Sequence, residues 1–236
     1  MPLRLIDVAL IHAELRPADV TVVIDVLRAT STVTQALAAG YERVLCADSV
    51  DRAKALRQAG RVLAGERRCV KPPGFDQGNS PVEAAHRHGS ELVLATTNGA
   101  PTVIAAARHA PRVLLACLLN LDSVLMTLRQ ADPAGATVQI ACSGTDGSVS
   151  LEDVYLAGRL STELPGPRTD AALVSQGVAR AFATPLEALS ASADARLLIE
   201  SGLTTDIEYC ARESELDLVP TVLEASAGVA VVVTEG

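Results

Sequence analysis

A chain of 236 residues with 28 acidic against 20 basic side chains carries a net charge of −8, which argues against binding nucleic acid or an anionic membrane surface. Five aromatic residues (three Tyr, two Phe) are too few for base-stacking platforms, so the core falls to Val, Leu, Ile and Ala. No apolar run approaches a membrane span, and the segment 1–10 carries Arg4 and Asp7 without a cleavage-type apolar stretch. Five scattered cysteines, without metal-knuckle spacing, predict reduced thiols and a cytosolic, leaderless chain.

In chain order, β-branched runs and stretches with helical apolar spacing alternate. A strand over 20–24 precedes a helix over 32–39, and a strand over 43–46 precedes a helix over 50–59. Strand 62–64 leads through a long polar loop to helix 81–88, strand 92–95 to helix 101–109, and strand 113–116 to helix 122–130. Strand 137–141 leads to helix 151–160; a more helical last third follows (171–180, 185–191, 194–202, 206–211), closed by a strand over 229–233. This alternation predicts an α/β fold with right-handed crossovers and a mostly parallel or mixed central sheet. Residues 1–236 are expected to form a single domain, with 165–168 the best candidate for a lobe boundary.

Three strand-to-helix junctions share one chemistry. Asp25–Thr32 (DVLRATST), Ala95–Thr102 (ATTNGAPT) and Ala141–Asp153 (ACSGTDGSVSLED) each run from a β segment through Thr, Ser, Asn or Gly into a helix start. In a parallel sheet such junctions lie at the carboxyl edge, where open α/β folds bind ligands and helix N-termini favour anions. The loop Gly65–Glu83 (GERRCVKPPGFDQGNSPVE) adds three carboxylates, three cations and an Asn-Ser pair, held irregular by three glycines and three prolines. Together these predict a site for a highly charged anionic small molecule.

Asp25 at a strand end can hold Mg²⁺, and Arg28 can fork onto phosphate oxygens; the plainer reading is an Asp–Arg pair that shapes the turn. Glu66, Asp76 and Glu152 complete the carboxylates available to such an ion. Lys71 is one of only two lysines against 18 arginines, which singles it out as a point charge for phosphate. Ser150 and Asp153 have the spacing of a capping box. Thr96, Thr97, Asn98 and Gly99 read either as a ligand clamp or as a polar turn. No histidine is placed for a triad or a zinc site. Cys46 and Arg52 have the spacing of a cysteine-dependent phosphatase loop, but the acidic, glycine-free ADSVD between them opposes that chemistry. Leu27 stands where aspartyl-phosphate hydrolases of the haloacid dehalogenase type place a second Asp after the nucleophile.

Asp25–Thr32, Gly65–Glu83, Thr96–Ala100 (TTNGA), Ser150–Asp153 (SLED) and Val219-Pro220 after DIEYCARES together resemble the 2-phosphosulfolactate phosphatases over almost the whole chain. The resemblance implies a three-layer α/β/α protein with Mg²⁺-dependent phosphatase activity on the coenzyme M route. Its substrate class is a small acid bearing phosphate, sulfonate and carboxylate. On this reading Asp25, Arg28 and Lys71 serve catalysis, and Asp25, Glu66, Asp76 and Glu152 are the metal candidates. Arg67, Arg68, Asn79, Ser80, Thr97 and Asn98 bind substrate. The attacking group is either a carboxylate, with Asp25 the candidate, or a metal-bound water. A homodimer is the ordinary expectation for such an enzyme. The rival class is a non-catalytic binder of phosphorylated or sulfonated metabolites, whose affinity would ignore EDTA.

Overall fold

The computed structural model describes residues 3–130 and 135–234. Its elements are β1 (Leu5–Ala9), β2 (Val20–Ile24), α1 (Ala29–Ala38), β3 (Arg43–Ala47), α2 (Val50–Ala55), β4 (Arg61–Gly65), α3 (Pro81–Ala84) and β5 (Glu91–Ala95). Then follow α4 (Gly99–Ala106), β6 (Arg112–Ala116), α5 (Leu121–Gln130), β7 (Thr137–Cys142), α6 (Leu151–Glu163) and α7 (Asp170–Arg180). The chain continues through α8 (Pro185–Ser190), α9 (Ala193–Glu200), α10 (Thr204–Cys210), β8 (Pro220–Ser226) and β9 (Val229–Thr234).

Nine strands form one mixed sheet in the order β1-β7-β2-β6-β8-β9-β3-β5-β4. β1, β7, β2 and β6 form one parallel block and β3, β5 and β4 a second. The β8–β9 hairpin joins them through antiparallel pairings only. The two blocks therefore run in opposite senses along the sheet. A twist of roughly 20–25° per strand pair accumulates across the six steps from β2 to β4. It turns the carboxyl ends of both blocks toward one place, where Gly99 after β5 lies against Asp25 after β2.

The strands are buried because helices cover both faces, which makes three layers. On one side β1, β2, β6 and β7 pack Ile6, Ile24, Leu114 and Ile140 against Val124, Leu156 and Leu160, with Leu189, Leu198 and Ile207 from α8, α9 and α10 in the same cluster. On the other side Val23, Leu92, Leu94 and Leu115 meet Val33 and Leu37 of α1 and Val103 and Ile104 of α4. The run of consecutive buried residues in β2, β5 and β6 is the pattern of strands covered twice, and it is what made them readable in the sequence.

Two strands escape that reading. β1 is an edge strand whose Asp7 pairs with Gln139 Nε2 at 2.8 Å, so its apolar run is interrupted. β8 starts on proline, exposes residues 223–226 and carries a bulge between Val222 and Glu224, which breaks the alternation of period two. The helices expected over 50–59 and 81–88 end early, at Ala55 and Ala84. The segment 165–168 is tied to the sheet: Leu3 N–H and Ile6 N–H donate to the carbonyls of Pro165 and Pro167 at 2.9 and 2.8 Å.

Candidate active site

A cavity of about 340 Å³ opens where the carboxyl ends of β2, β4, β5 and β7 meet. All three strand-to-helix junctions reach it, through Asp25, through Thr96 to Asn98, and through Gly144 to Asp146. Asp25 caps α1 with its own side chain, Oδ1 accepting from Ala29 N–H at 2.9 Å. Thr96 Oγ1 does the same for α4, accepting from Ala100 N–H at 2.9 Å. Gly99 makes the close approach possible, since a Cβ there would sit 2.4 Å from both Asp25 Oδ2 and the Ala29 Cβ.

The start of α6 departs from the expected capping box. Ser150 makes no cap bond; its hydroxyl meets Thr145 Oγ1 at 2.9 Å and donates to Asp194 Oδ2 at 3.3 Å. Asp153 turns instead toward the strand ends, accepting from Val26 N–H at 2.9 Å and Gly144 N–H at 3.2 Å. It thereby stitches the exit of β2 to the exit of β7. Glu152 is 1 % exposed and lines the cavity, and its Oε2 has no hydrogen-bond partner among the described residues.

The long loop splits between two places. Its first turn is closed by Arg67 N–H to Val70 O at 2.9 Å and the reciprocal bond at 3.1 Å, with Arg68 and Cys69 at φ 51° and 62°. Positive φ at both central positions is what a type I′ turn needs, a place where Asn-Gly is usual. Paired left-handed residues other than glycine store strain, and this strain sets Arg68 and Cys69 on the cavity wall. A second turn of the same kind, Thr145 to Ser148 with Asp146 and Gly147 at φ 51° and 78°, faces it from the other block. Glu66 reaches across, Oε1 accepting from Thr97 N–H at 2.8 Å and Oγ1–H at 3.0 Å, while Oε2 accepts from Cys69 N–H at 3.2 Å.

Of the residues singled out in the sequence, Asp25, Arg28, Glu66, Arg68, Asn79, Thr97, Asn98 and Glu152 share this cavity. Lys71 and Asp76 do not. They line a second, more open cavity with Arg57, Glu83 and His88. There Asp76 Oδ2 accepts from Leu63 N–H at 2.7 Å and pairs with Arg57 at 3.2 Å, so it anchors the loop onto β4. Arg67 donates to the Glu66 carbonyl at 2.8 Å, and Ser80 caps α3 through Glu83 N–H at 3.2 Å; neither lines the main cavity.

Three cavity carboxyls are displaced in the unusual direction. Burial pushes Asp25 from 3.8 up to about 7; the Ala29 N–H opposes this, Asp194 and Glu66 add to it, and Arg28 opposes it weakly. Burial first, then the neighbouring Asp153 and Asp194, hold Glu152 well above the carboxylate range. Asp153 is raised in the same way, by burial and then by Asp25. Crowded, dehydrated carboxyls of this kind await a cation or a proton. Among the described residues no three His, Cys, Asp or Glu side chains form a ready cage for a metal. The other cysteines offer no rival nucleophile: Cys46, Cys117, Cys142 and Cys210 are buried, and burial pushes Cys46 to about 12.

Asp194 and Asp206 were not legible. Both sit in the first turn of a helix, where an acidic residue ordinarily complements the dipole. Asp194 lines the cavity, its Oδ2 accepting from Thr145 Oγ1–H at 2.5 Å. Asp206 pairs with Arg28. The Arg68-Cys69 turn carried no signal either, whereas Asp146-Gly147 is a favoured type I′ sequence.

A family model described as 2-phosphosulpholactate phosphatase matches residues 6–225. A Thermus thermophilus protein named probable 2-phosphosulfolactate phosphatase is 41% identical over 220 residues, covering 91% of this chain and 92% of the relative. Proteins of the same name from Pseudothermotoga lettingae and Carboxydothermus hydrogenoformans are 35% and 38% identical, covering 93% and 91% of this chain and 96% and 92% of their own lengths. With its carboxylate-lined cavity and a match running from β1 into β8, the chain belongs to the 2-phosphosulpholactate phosphatase family of phosphoric monoester hydrolases.

Proposed function

We propose that the protein is a Mg²⁺-dependent phosphatase that hydrolyses 2-phosphosulfolactate to sulfolactate and phosphate, on the coenzyme M route that the resemblance implies. The observation that carries this reading is the meeting of Asp25, Glu66 and Glu152 with Arg28 and Arg68 in one cavity. Carboxylates alone would repel a phospho-acid, so a cation belongs between them and the phosphate. Glu152 Oε2 is unpartnered, and Asp25 uses Oδ1 for Ala29 N–H. These two, with Glu66, are the residues that would hold Mg²⁺, whose chemistry there is to neutralise phosphoryl oxygens and favour in-line displacement.

The chain's own residues do the rest. Arg68, on the Arg67–Val70 turn, brings a guanidinium to the cavity and offsets charge on the phosphoryl oxygens. Thr97 and Asn98, at the entrance to α4, are placed to orient the ester. Asp25 either attacks phosphorus itself, expelling the alkoxide to leave an acyl phosphate that water then hydrolyses, or takes the proton of an attacking water; rapid acid quench with a ³²P-labelled ester separates these, because only attack by Asp25 leaves phosphorus covalently on its carboxyl. Lys71, Asp76 and Arg67 lie outside the cavity and on this reading have no role in the reaction.

The test is phosphate release from racemic 2-phosphosulfolactate and a panel of phospho-acids, with Mg²⁺ or with EDTA. Release that needs Mg²⁺ and is strongest on phosphosulfolactate is the expected result. Faster release from another phospho-acid would keep the reaction and overturn the substrate. No release from any ester, with binding indifferent to EDTA, would overturn the reading.

A further inference from the structure

Charge is not spread evenly over the cavity wall. Glu152, Asp153 and Asp194 come from α6 and α9, whereas Arg28 and Ser80, the neighbour of Asn79, are tied to Asp206 of α10. Arg28 is 3 % exposed, an unusual burial for a guanidinium, and its partner Asp206 is 1 % exposed. Arg28 Nη1 donates to Asp206 Oδ2 at 2.5 Å, and Ser80 Oγ–H donates to the other oxygen of Asp206 at 2.6 Å. Each oxygen of Asp206 thus accepts one bond, and together they fix both the guanidinium and the backbone that carries Asn79.

Neither of those two side chains is satisfied within the protein. A guanidinium has five N–H donors, and Asp206 is the one hydrogen-bond partner of the Arg28 side chain among the described residues. Asn79 is 4 % exposed and lines the cavity; its side chain makes no hydrogen bond among the described residues, and its Oδ1 is fully buried. Its amide nitrogen is not fully buried, and it carries two N–H donors that it can present to the cavity. Buried polar groups without partners are rare in native proteins and call for a ligand or water. Arg28 and Asn79 offer donors, so the ligand group they fit is an acceptor with several oxygens and a negative charge.

We propose that Arg28 and Asn79, held by Asp206 and Ser80, form a subsite for the non-reacting acid group of the substrate. The proposal rests on the phosphatase reading and extends it. The phosphate goes to the carboxylate end, and a sulfonate or carboxylate beside the ester goes to the Arg28–Asn79 end. Asp206 is a positioning residue: it never meets the substrate but sets the guanidinium fork in advance, which lowers the entropy lost on binding. The enzyme then selects phosphate esters of hydroxy acids over plain alkyl phosphates, because only the former satisfy both ends.

The experiment has a binding arm that needs no turnover. Lactate (carboxylate only), isethionate (sulfonate only) and sulfolactate (both) are titrated by calorimetry into wild type, Asn79→Asp and Asp206→Asn. Asn79→Asp keeps the shape and puts a carboxylate against the ligand, so at least a ten-fold loss of affinity is expected for sulfolactate. The acid whose affinity also falls, lactate or isethionate, identifies the group that occupies the subsite. In the kinetic arm the ratio of kcat/KM for 2-phosphosulfolactate over that for isopropyl phosphate should fall at least ten-fold in both variants, through KM. Should Asp206→Asn fail to fold, Asn79→Asp alone decides. Unchanged affinity for all three acids, or an unchanged ratio between the two esters, overturns the subsite. If wild type hydrolyses no ester yet binds sulfolactate through Asn79, the phosphatase reading falls and the subsite stands.

Discussion

The two cavities that the Gly65–Glu83 loop separates make an instructive pair. Both hold acids and bases, and the outer one is the larger, at about 850 against 340 Å³. In the outer cavity the charges are exposed and locally matched: Arg57 with Asp76, and Glu83 Oε2 accepting from Gly78 N–H at 2.6 Å. In the inner one, carboxyls at the end of β2 and the start of α6 are stripped of water and set against one another and against Asp194. Exposed pairs of the first kind are worth about 0–1 kcal/mol and shape a loop. Crowding of the second kind destabilises the empty protein and is kept because a ligand relieves it.

The comparison is broken most sharply at Asp25. Asp25→Asn keeps the bond to Ala29 N–H possible but removes the charge, and phosphate release should fall by about 10³-fold or more. Residual activity within ten-fold of wild type would remove Asp25 from the chemistry. Next, Glu152→Gln and Glu66→Gln should each lower kcat by roughly 10–100-fold and raise the Mg²⁺ concentration needed for half-maximal rate. A loss of rate with unchanged Mg²⁺ dependence would place them away from the ion.

A middle-sized effect is expected on stability. Gly99→Ala pushes a methyl group into Asp25 and Ala29, and overpacking of that kind costs about 1–3 kcal/mol. In a chain of this size that lowers Tm by roughly 2–4 °C per kcal/mol, and activity should fall with it. An unshifted Tm would mean that α4 can withdraw from Asp25 freely.

pH separates the two cavities as well. The folded pKa of Asp25 is raised from 3.8 to about 7, and those of Glu152 and Asp153 are raised too, so the folded protein binds protons more tightly than the unfolded chain. Their contribution is fully present below the unfolded value and is lost as pH rises through the folded one. In EDTA, Tm should therefore decline as pH rises through about 4 to 7, less so in Asp25→Asn, and Mg²⁺ added above pH 7 should restore it. A Tm that rises across that window in EDTA, equally in both proteins, would contradict the crowding. The smallest effect belongs to the outer cavity: Lys71→Ala should leave kcat/KM within about two-fold and stability within about 0.5 kcal/mol. A loss of ten-fold or more would return Lys71 to the site.

How much of this was legible follows from the range of the interactions. Strands buried on both faces announce themselves as apolar runs, so β2, β5 and β6 were plain in the sequence, as were the polar junctions after β2, β5 and β7. Asp25, Glu66 and Glu152 could be picked out because each stands at such a junction or in the glycine- and proline-rich loop. Which face of that loop looks inward was not legible. It depends on Asp76 reaching back to Leu63 N–H, a bond that assigns Lys71 and Asp76 to one side and Arg68 and Asn79 to the other. Asp194 and Asp206 were hidden for a different reason. Each lies about 170–180 residues from Asp25 or Arg28, and sequence spacing carries no information about partners so remote.

The hairpin between the two parallel blocks has a consequence for how the molecule is made. β8 and β9 are synthesised after the other seven strands, yet they alone join β6 to β3. Until they arrive, each block presents an open edge to the other, and the chain has already crossed between blocks through α1 and α4. A nascent chain can thus hold most of its secondary structure while α1 and α4 bridge the blocks and the sheet between them is still open. Such late, long-range closure slows folding and exposes strand edges meanwhile. Asp25 and Glu152 can meet as soon as β2 and β7 pair, whereas Glu66 and Thr97 take their final places only once the sheet between the blocks is closed.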